Sequence, residues 1–209
     1  MFIVAVANSK GGCGKTTVAT HIAAHFTARG FRTGLADLDR QQSARAWLRR
    51  RPGHLAPIRE VDLDVEDGKL PKGLDRLVVD CPAAMTKQTV KDVVQQAGTI
   101  VVPVLPSAFD EDGTRRFLGH LLKLKPVRKH RRDVAFVANR VRMRTRAADR
   151  LEAFLTELEF PIAARLRDTQ QYANAAADGL TLFDTAGARA QPHRDEWLPL
   201  FDLLERCVE

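Results

Sequence analysis

The residues of this chain best placed to do chemistry are gathered in one short turn. Ser9-Lys10-Gly11-Gly12-Cys13-Gly14-Lys15-Thr16-Thr17 is rich in glycine and ends in lysine and threonine. Glycines let a backbone turn tightly and aim its N–H groups at an anion, and a helix starting behind them adds its positive end. In such a turn Lys15 reaches the β- and γ-phosphates of a nucleotide, and the Thr16 hydroxyl suits Mg²⁺. Two further groups of acids stand at the ends of apolar runs: Asp37 and Asp39 close one, and Asp80 closes another. Paired carboxylates at a strand's carboxyl end can orient a nucleophile and hold a hydrated cation. The same Asp-x-Asp can instead cap a helix or a turn.

These residues need particular elements to hold them. Phe2-Ile3-Val4-Ala5-Val6-Ala7 is an apolar run of strand length leading into the turn, and Val18 to Phe26 reads as a helix leading out of it. That is the strand–loop–helix setting a phosphate-binding loop requires. Strand-like runs near 2–8, 33–38, 76–80, 99–105, 133–138 and 161–165 alternate with helical stretches at 15–29, 86–97, 111–124, 145–159 and 192–207. Continuous apolar strands imply a mostly parallel sheet covered on both faces, so the expected fold is a doubly wound α/β sheet with its site at the strands' carboxyl ends. The 209 residues are 44% hydrophobic, without repeats or low-complexity stretches, which predicts one domain over 1–209.

The turn departs from the common phosphate-loop pattern, which has a glycine where Ser9 stands, and it carries an additional lysine, Lys10. Lys10-Gly11-Gly12-Cys13-Gly14-Lys15-Thr16-Thr17 resembles the deviant Walker A box of the ParA/MinD ATPases. The resemblance implies that Lys10 crosses a dimer interface to the partner's nucleotide, so that ATP cements a sandwich homodimer. Asp37-Leu38-Asp39-Arg40-Gln41-Gln42-Ser43 resembles that family's D-x-D-x-Q-x-S box, with Arg40 in the place of a more usual proline and glutamines at 41 and 42. By that match Asp39 positions the attacking water and Asp37 sits near the Mg²⁺ shell. Arg76-Leu77-Val78-Val79-Asp80 is similar to the Walker B strand, whose aspartate holds Mg²⁺ through water, although Cys81-Pro82-Ala83 departs from the family's loop. Asp133 to Val141 resembles a late strand whose asparagine, here Asn139, reads the adenine edge; asparagine and adenine each offer a donor and an acceptor. A strand-end asparagine is otherwise a turn residue. The implied nucleotide contacts are Lys10, Gly11, Gly12, Cys13, Gly14, Lys15, Thr16, Thr17 and Asn139, and the implied metal residues are Thr16, Asp37 and Asp80.

Charge is unevenly placed. The chain carries +7, yet residues 123–150 hold eleven Lys and Arg against two acids, so the remainder sums to −2. One cluster is Lys123, Lys125, Arg128, Lys129, Arg131 and Arg132; the other is Arg140, Arg142, Arg144, Arg146 and Arg150. No aromatic residues interleave them, so sequence-independent binding of double-stranded DNA through its phosphates fits better than single-strand stacking. Arg142, Arg144 and Arg146 are candidates for it, with Arg165, Arg189 and Arg194 as rivals later in the chain. The segment from His193 to Glu209 is amphipathic but holds five acids against two arginines, which predicts a packing helix and no membrane contact. Cys13, Cys81 and Cys207 have no metal-ligand spacing, so no iron–sulfur cluster is expected. Met1 runs straight into the first strand and no long apolar run follows, which predicts a cytoplasmic protein, and the resemblance implies association with the nucleoid when ATP is bound.

The resemblance implies a Mg²⁺-dependent ATP hydrolase that dimerises around ATP, binds DNA without sequence preference and lets go after hydrolysis. An activating adaptor protein would stimulate turnover. The cargo positioned would be a plasmid, a chromosome region or a protein cluster such as a chemotaxis array or carboxysome. Two other readings use the same scaffold: a metabolic phosphoryl-transfer or ligase enzyme, and a division-site regulatory switch.

Overall fold

The structure, a computed structural model, describes residues 1–129 and 132–207; Arg131 of the first basic cluster and the terminal Val208-Glu209 lie outside the described residues. Among the described residues seven strands form one sheet: β1 (Phe2–Val6), β2 (Thr33–Asp37), β3 (Ile58–Val61), β4 (Arg76–Asp80), β5 (Thr99–Val104), β6 (Asp133–Val141) and β7 (Ile162–Arg167). Their order is β3-β2-β4-β1-β5-β6-β7, and every pairing is parallel. The helices are α1 (Lys15–Ala28), α2 (Ser43–Arg50), α3 (Lys87–Gln96), α4 (Ala108–Leu121), α5 (Lys125–Arg128), α6 (Arg146–Glu157), α7 (Gln171–Ala177), α8 (Gln191–Asp195) and α9 (Leu198–Arg206).

Strand alternation sorts the core into two layers. Ile3 and Ala5 join Val90, Val94, Phe117 and Leu155 on the face of α3, α4 and α6. Val4 and Val6 join Val18, Ile22, Trp47 and Trp197 on the face of α1, α2 and α9. Both faces are thus apolar, which is why these strands read as unbroken hydrophobic runs. The central β1 lies between β4 and β5; α1 leaves β1 toward one face and α4 leaves β5 toward the other. Chains that part in this way open a crevice at the strands' carboxyl ends.

Several boundaries differ from those expected. The helix expected over 111–124 begins at Ala108, and that over 192–207 breaks into α8 and α9, with Pro199 in the first turn of α9. Proline lacks the N–H an uninterrupted helix needs but fits a first turn. The edge strand β3 and the helices α2, α5 and α7 were not expected: α2 buries only Ala44 and Trp47, too few for a visible period. Leu200, Phe201 and Leu204 of α9 are buried in the second layer. No helix among the described residues is long and apolar enough to cross a membrane. The described members of the first basic cluster precede β6, and the second runs from the last residues of β6 into α6, so the two lie at opposite ends of that strand.

One buried group ties α1 to the C-terminal helices. The His21 ring stacks on Trp197 at 4.5 Å with an interplanar angle of 5°. Its Nδ1 lies 2.8 Å from the Thr17 carbonyl, and its Nε2 accepts from Leu182 N at 3.2 Å, so the ring is neutral with its proton on Nδ1. Burial lowers its pKa to about 4. Between that value and the ordinary 6.5, the unfolded chain takes up a proton that the folded chain refuses, so stability falls as pH drops through this window. Wild-type protein is expected to lose about 2 kcal/mol from this residue between neutral pH and about pH 4.5, a loss absent from His21→Gln. Urea unfolding of both proteins at the two pH values measures it.

Candidate functional site

The glycine-rich loop spans from β1 to α1 and is tied down at both limbs. Asn8, fully buried, donates from Nδ2 to the Pro103 carbonyl and to Thr114 Oγ1, both at 2.9 Å. Ser9 Oγ donates to the Gly113 carbonyl at 3.1 Å, and the Lys10 stem lies against Gly113. Gly12 and Gly14 adopt φ of 75° and 94°, a left-handed region that side chains rarely enter. Lys15 is buried, and its ammonium turns back onto the Lys10 carbonyl at 3.0 Å. The Lys10 side chain has no ion pair among the described residues. The Cys13 thiol donates to that same Lys10 carbonyl, and burial raises the pKa values of Cys13 and Cys81, so both stay protonated fillers.

Beside the loop, sheet register sets Asp37 of β2 against Asp80 of β4. The two have different surroundings. Asp37 Oδ2 accepts from Ala44 N at 2.8 Å and Arg45 N at 3.1 Å, and its Oδ1 accepts from Asp39 N at 3.0 Å. Asp37 therefore caps α2 and holds Asp39 in place, the structural alternative for an Asp-x-Asp. Asp39 is half-buried, with Oδ1 accepting from Gln41 N at 3.0 Å. Asp80 is 1% exposed; Oδ2 accepts from Thr16 Oγ1 at 2.7 Å, while Oδ1 is buried without a hydrogen-bond partner among the described residues.

Such an orphaned carboxylate oxygen next to a hydroxyl is an oxygen-only donor set, which fits a hard divalent cation. Among the described residues no three His, Cys, Asp or Glu side chains form a metal cluster by themselves. That pattern suits Mg²⁺, which keeps waters and substrate oxygens rather than an all-protein cage.

Two cavities open at this end of the sheet. One of about 410 Å³ is lined by Thr17, Asn139, Arg140, Asp168, Gln170 and Tyr172, and one of about 410 Å³ by Leu38, Asp39, Arg40, Gln41, Pro82 and Ala83. Asn139 is 4% exposed and lies within β6 rather than after it. The arginines divide. Arg142 pairs with Asp168 at 2.9 Å, Arg165 pairs with Glu152, and Arg194 donates to the carbonyls of Leu182 and Thr185. Arg144, Arg146 and Arg189 are exposed and make no side-chain ion pair among the described residues. Asn8 and the cavity residues Gln170 and Tyr172 carry no signal in the sequence, since only the fold brings them to the loop.

Burial pushes the Asp80 carboxyl up to about 7, and the neighbouring Asp37 charge adds to the effect. Its folded pKa exceeds its unfolded one, so the folded chain keeps a proton the unfolded chain releases. Stability is lost as pH rises from the ordinary carboxylate range to neutrality. Asp80→Asn keeps an acceptor for Thr16 without the charge. The ligand-free variant is expected to be about 1–3 kcal/mol more stable than wild type near pH 8, as read by denaturant unfolding.

Residues 4–182 match the CbiA family, the CobQ/CobB/MinD/ParA nucleotide binding domain. The chain is 32% identical over 205 residues to the maintenance of carboxysome distribution protein A of Halothiobacillus neapolitanus, covering 93% of this chain and 92% of that protein. Among solved structures, apo McdA from Cyanothece has a TM-score of 0.77 at 14% identity, with 100% of both chains covered. A plasmid partition protein from Borrelia burgdorferi bound to AMPPNP has a TM-score of 0.73 at 13% identity, covering 96% of this chain and 98% of that one. At those identities the two structures speak for the fold alone. With its family match running through the loop, both acidic strand ends and Asn139, the chain belongs to the CobQ/CobB/MinD/ParA nucleotide-binding family, whose ParA and MinD members are ATPases.

Proposed function

We propose that this chain is a ParA-type positioning ATPase that distributes a protein assembly over DNA. The observation that carries the reading is the phosphate loop with its second lysine, Lys10, set beside the orphaned Asp80 carboxylate. The likeness to a carboxysome distribution protein supports a protein assembly as cargo over a plasmid or a chromosome region.

In this reading the loop's N–H groups and the Lys15 ammonium take the phosphates of ATP, and the cavity beside Asn139 takes the base. Thr16 and Asp80 hold Mg²⁺, with Asp37 behind them, and the ion when bound offsets negative charge on the phosphates. Asp39, lining the cavity beside Pro82 and Ala83, orients the attacking water. Lys10 reaches into a second copy of the chain, so the ATP-bound form is a homodimer. Arg144, Arg146 and Arg189, which make no side-chain ion pair among the described residues, contact double-stranded DNA. An adaptor protein on the cargo stimulates hydrolysis and releases the dimer.

Asp39→Ala is expected to retain ATP, dimerise and bind duplex DNA of any sequence, with no binding in ADP. Six arginines from two copies imply an affinity loss of about 10³ between 50 and 200 mM salt. Fluorescence anisotropy with ATP, with ADP and without nucleotide tests this. Absence of DNA binding in every state would remove DNA from the reading and favour a small-molecule phosphoryl transfer. Lys10→Ala is expected to bind ATP within about threefold of wild type yet stay monomeric in light scattering. An ATP-dependent dimer of that variant would sink the sandwich.

A further inference from the structure

The glycine that starts α1 cannot cap its own helix. Gly14 stands at the N-cap with φ 94°, and no side chain accepts a hydrogen bond there. The peptide before it is instead held from two strands away. Asn139 Nδ2 donates to the Cys13 carbonyl at 2.8 Å, the one hydrogen bond that carbonyl makes among the described residues. The side chain lies so close that a Cβ on Gly14 would sit 2.1 Å from Nδ2. Its Oδ1 accepts from Arg140 N at 3.0 Å, and Arg140 takes a left-handed φ of 52°, rare for a residue with a side chain. Pairing between β6 and β7 is irregular between Ala138 and Val141, the stretch that holds this turn. A strained turn, a close approach at a glycine and a buried amide used at both ends converge on one contact.

We infer that Asn139 is a positioning residue for the phosphate loop: its amide clamps the Cys13 carbonyl and fixes the left-handed turn from which α1 and its N–H groups begin. One Nδ2 hydrogen remains for a base, so the clamp and base recognition are separable. Without the clamp a largely buried carbonyl loses its partner and the loop's last turn gains freedom. The effect on nucleotide binding rests on the ATPase reading above; the clamp itself does not.

The test uses the full chain carrying Asn139→Ala, with Asn139→Ser as a second variant should alanine impair folding. Without ligand, amides of residues 11–16 are expected to exchange hydrogen about tenfold faster than in wild type, with β1 and β5 unchanged. Unchanged exchange in the loop overturns the clamp. Calorimetry with ATP and with inorganic tripolyphosphate, which has no base, then separates positioning from recognition. Weakening of tripolyphosphate by about tenfold, and of ATP by at least as much, is expected. A loss for ATP alone makes Asn139 a base contact and overturns the positioning role. Wild-type protein that binds neither compound refutes the ATPase reading, and loop exchange still decides the clamp.

Discussion

Two carboxylates that parallel pairing sets side by side, Asp37 and Asp80, are the constraint around which this end of the molecule is arranged. Buried like charges at neighbouring strand ends repel, and desolvation adds to the cost. The chain meets that cost unequally. Asp37 receives three backbone N–H groups, two of them from the first turn of α2, where the helix also offers its positive end. Asp80 receives one hydroxyl and feels Lys15 at a distance. The pair therefore resolves into one structural acid and one whose remaining oxygen needs a cation or a proton.

The loop beside these acids has few contacts of its own and takes its shape from the sheet. Asn8 and Ser9 bind its first limb to β5 and α4, and Asn139 binds its second limb from β6. All three anchors stand at or near the carboxyl ends of strands whose apolar side chains fill both layers of the core. A loop so suspended is held by rigid elements rather than by its own sequence, which is what a preorganised anion site requires.

Much of this was legible in the sequence because the signals are local. Apolar runs of strand length, a glycine-rich turn before a helix and acids at run ends all follow from residues near one another in the chain. What was missed depends on distant partners. That Asp37 caps α2 could not be read from the letters, because α2 itself buries too little to show a period. The grip of Asn139 on Cys13 joins residues 126 positions apart. The six candidate arginines looked alike as letters; the fold distinguishes them, since Glu152 lies beside Arg165 and the carbonyls of Leu182 and Thr185 meet Arg194.

The same geometry bears on how a basic surface could respond to nucleotide. The two basic clusters sit at opposite ends of β6, and the first partly closes a helix end: Arg132 donates to the carbonyls of Val94 and Gln95 in the last turn of α3. The second cluster begins at Arg140, whose backbone turn is held by the same asparagine that grips the loop, and continues through Arg144 and Arg146 into the first turn of α6. On the proposed reading, a polyanion whose binding depends on ATP finds at this end of β6 arginines that share an anchor with the phosphate loop.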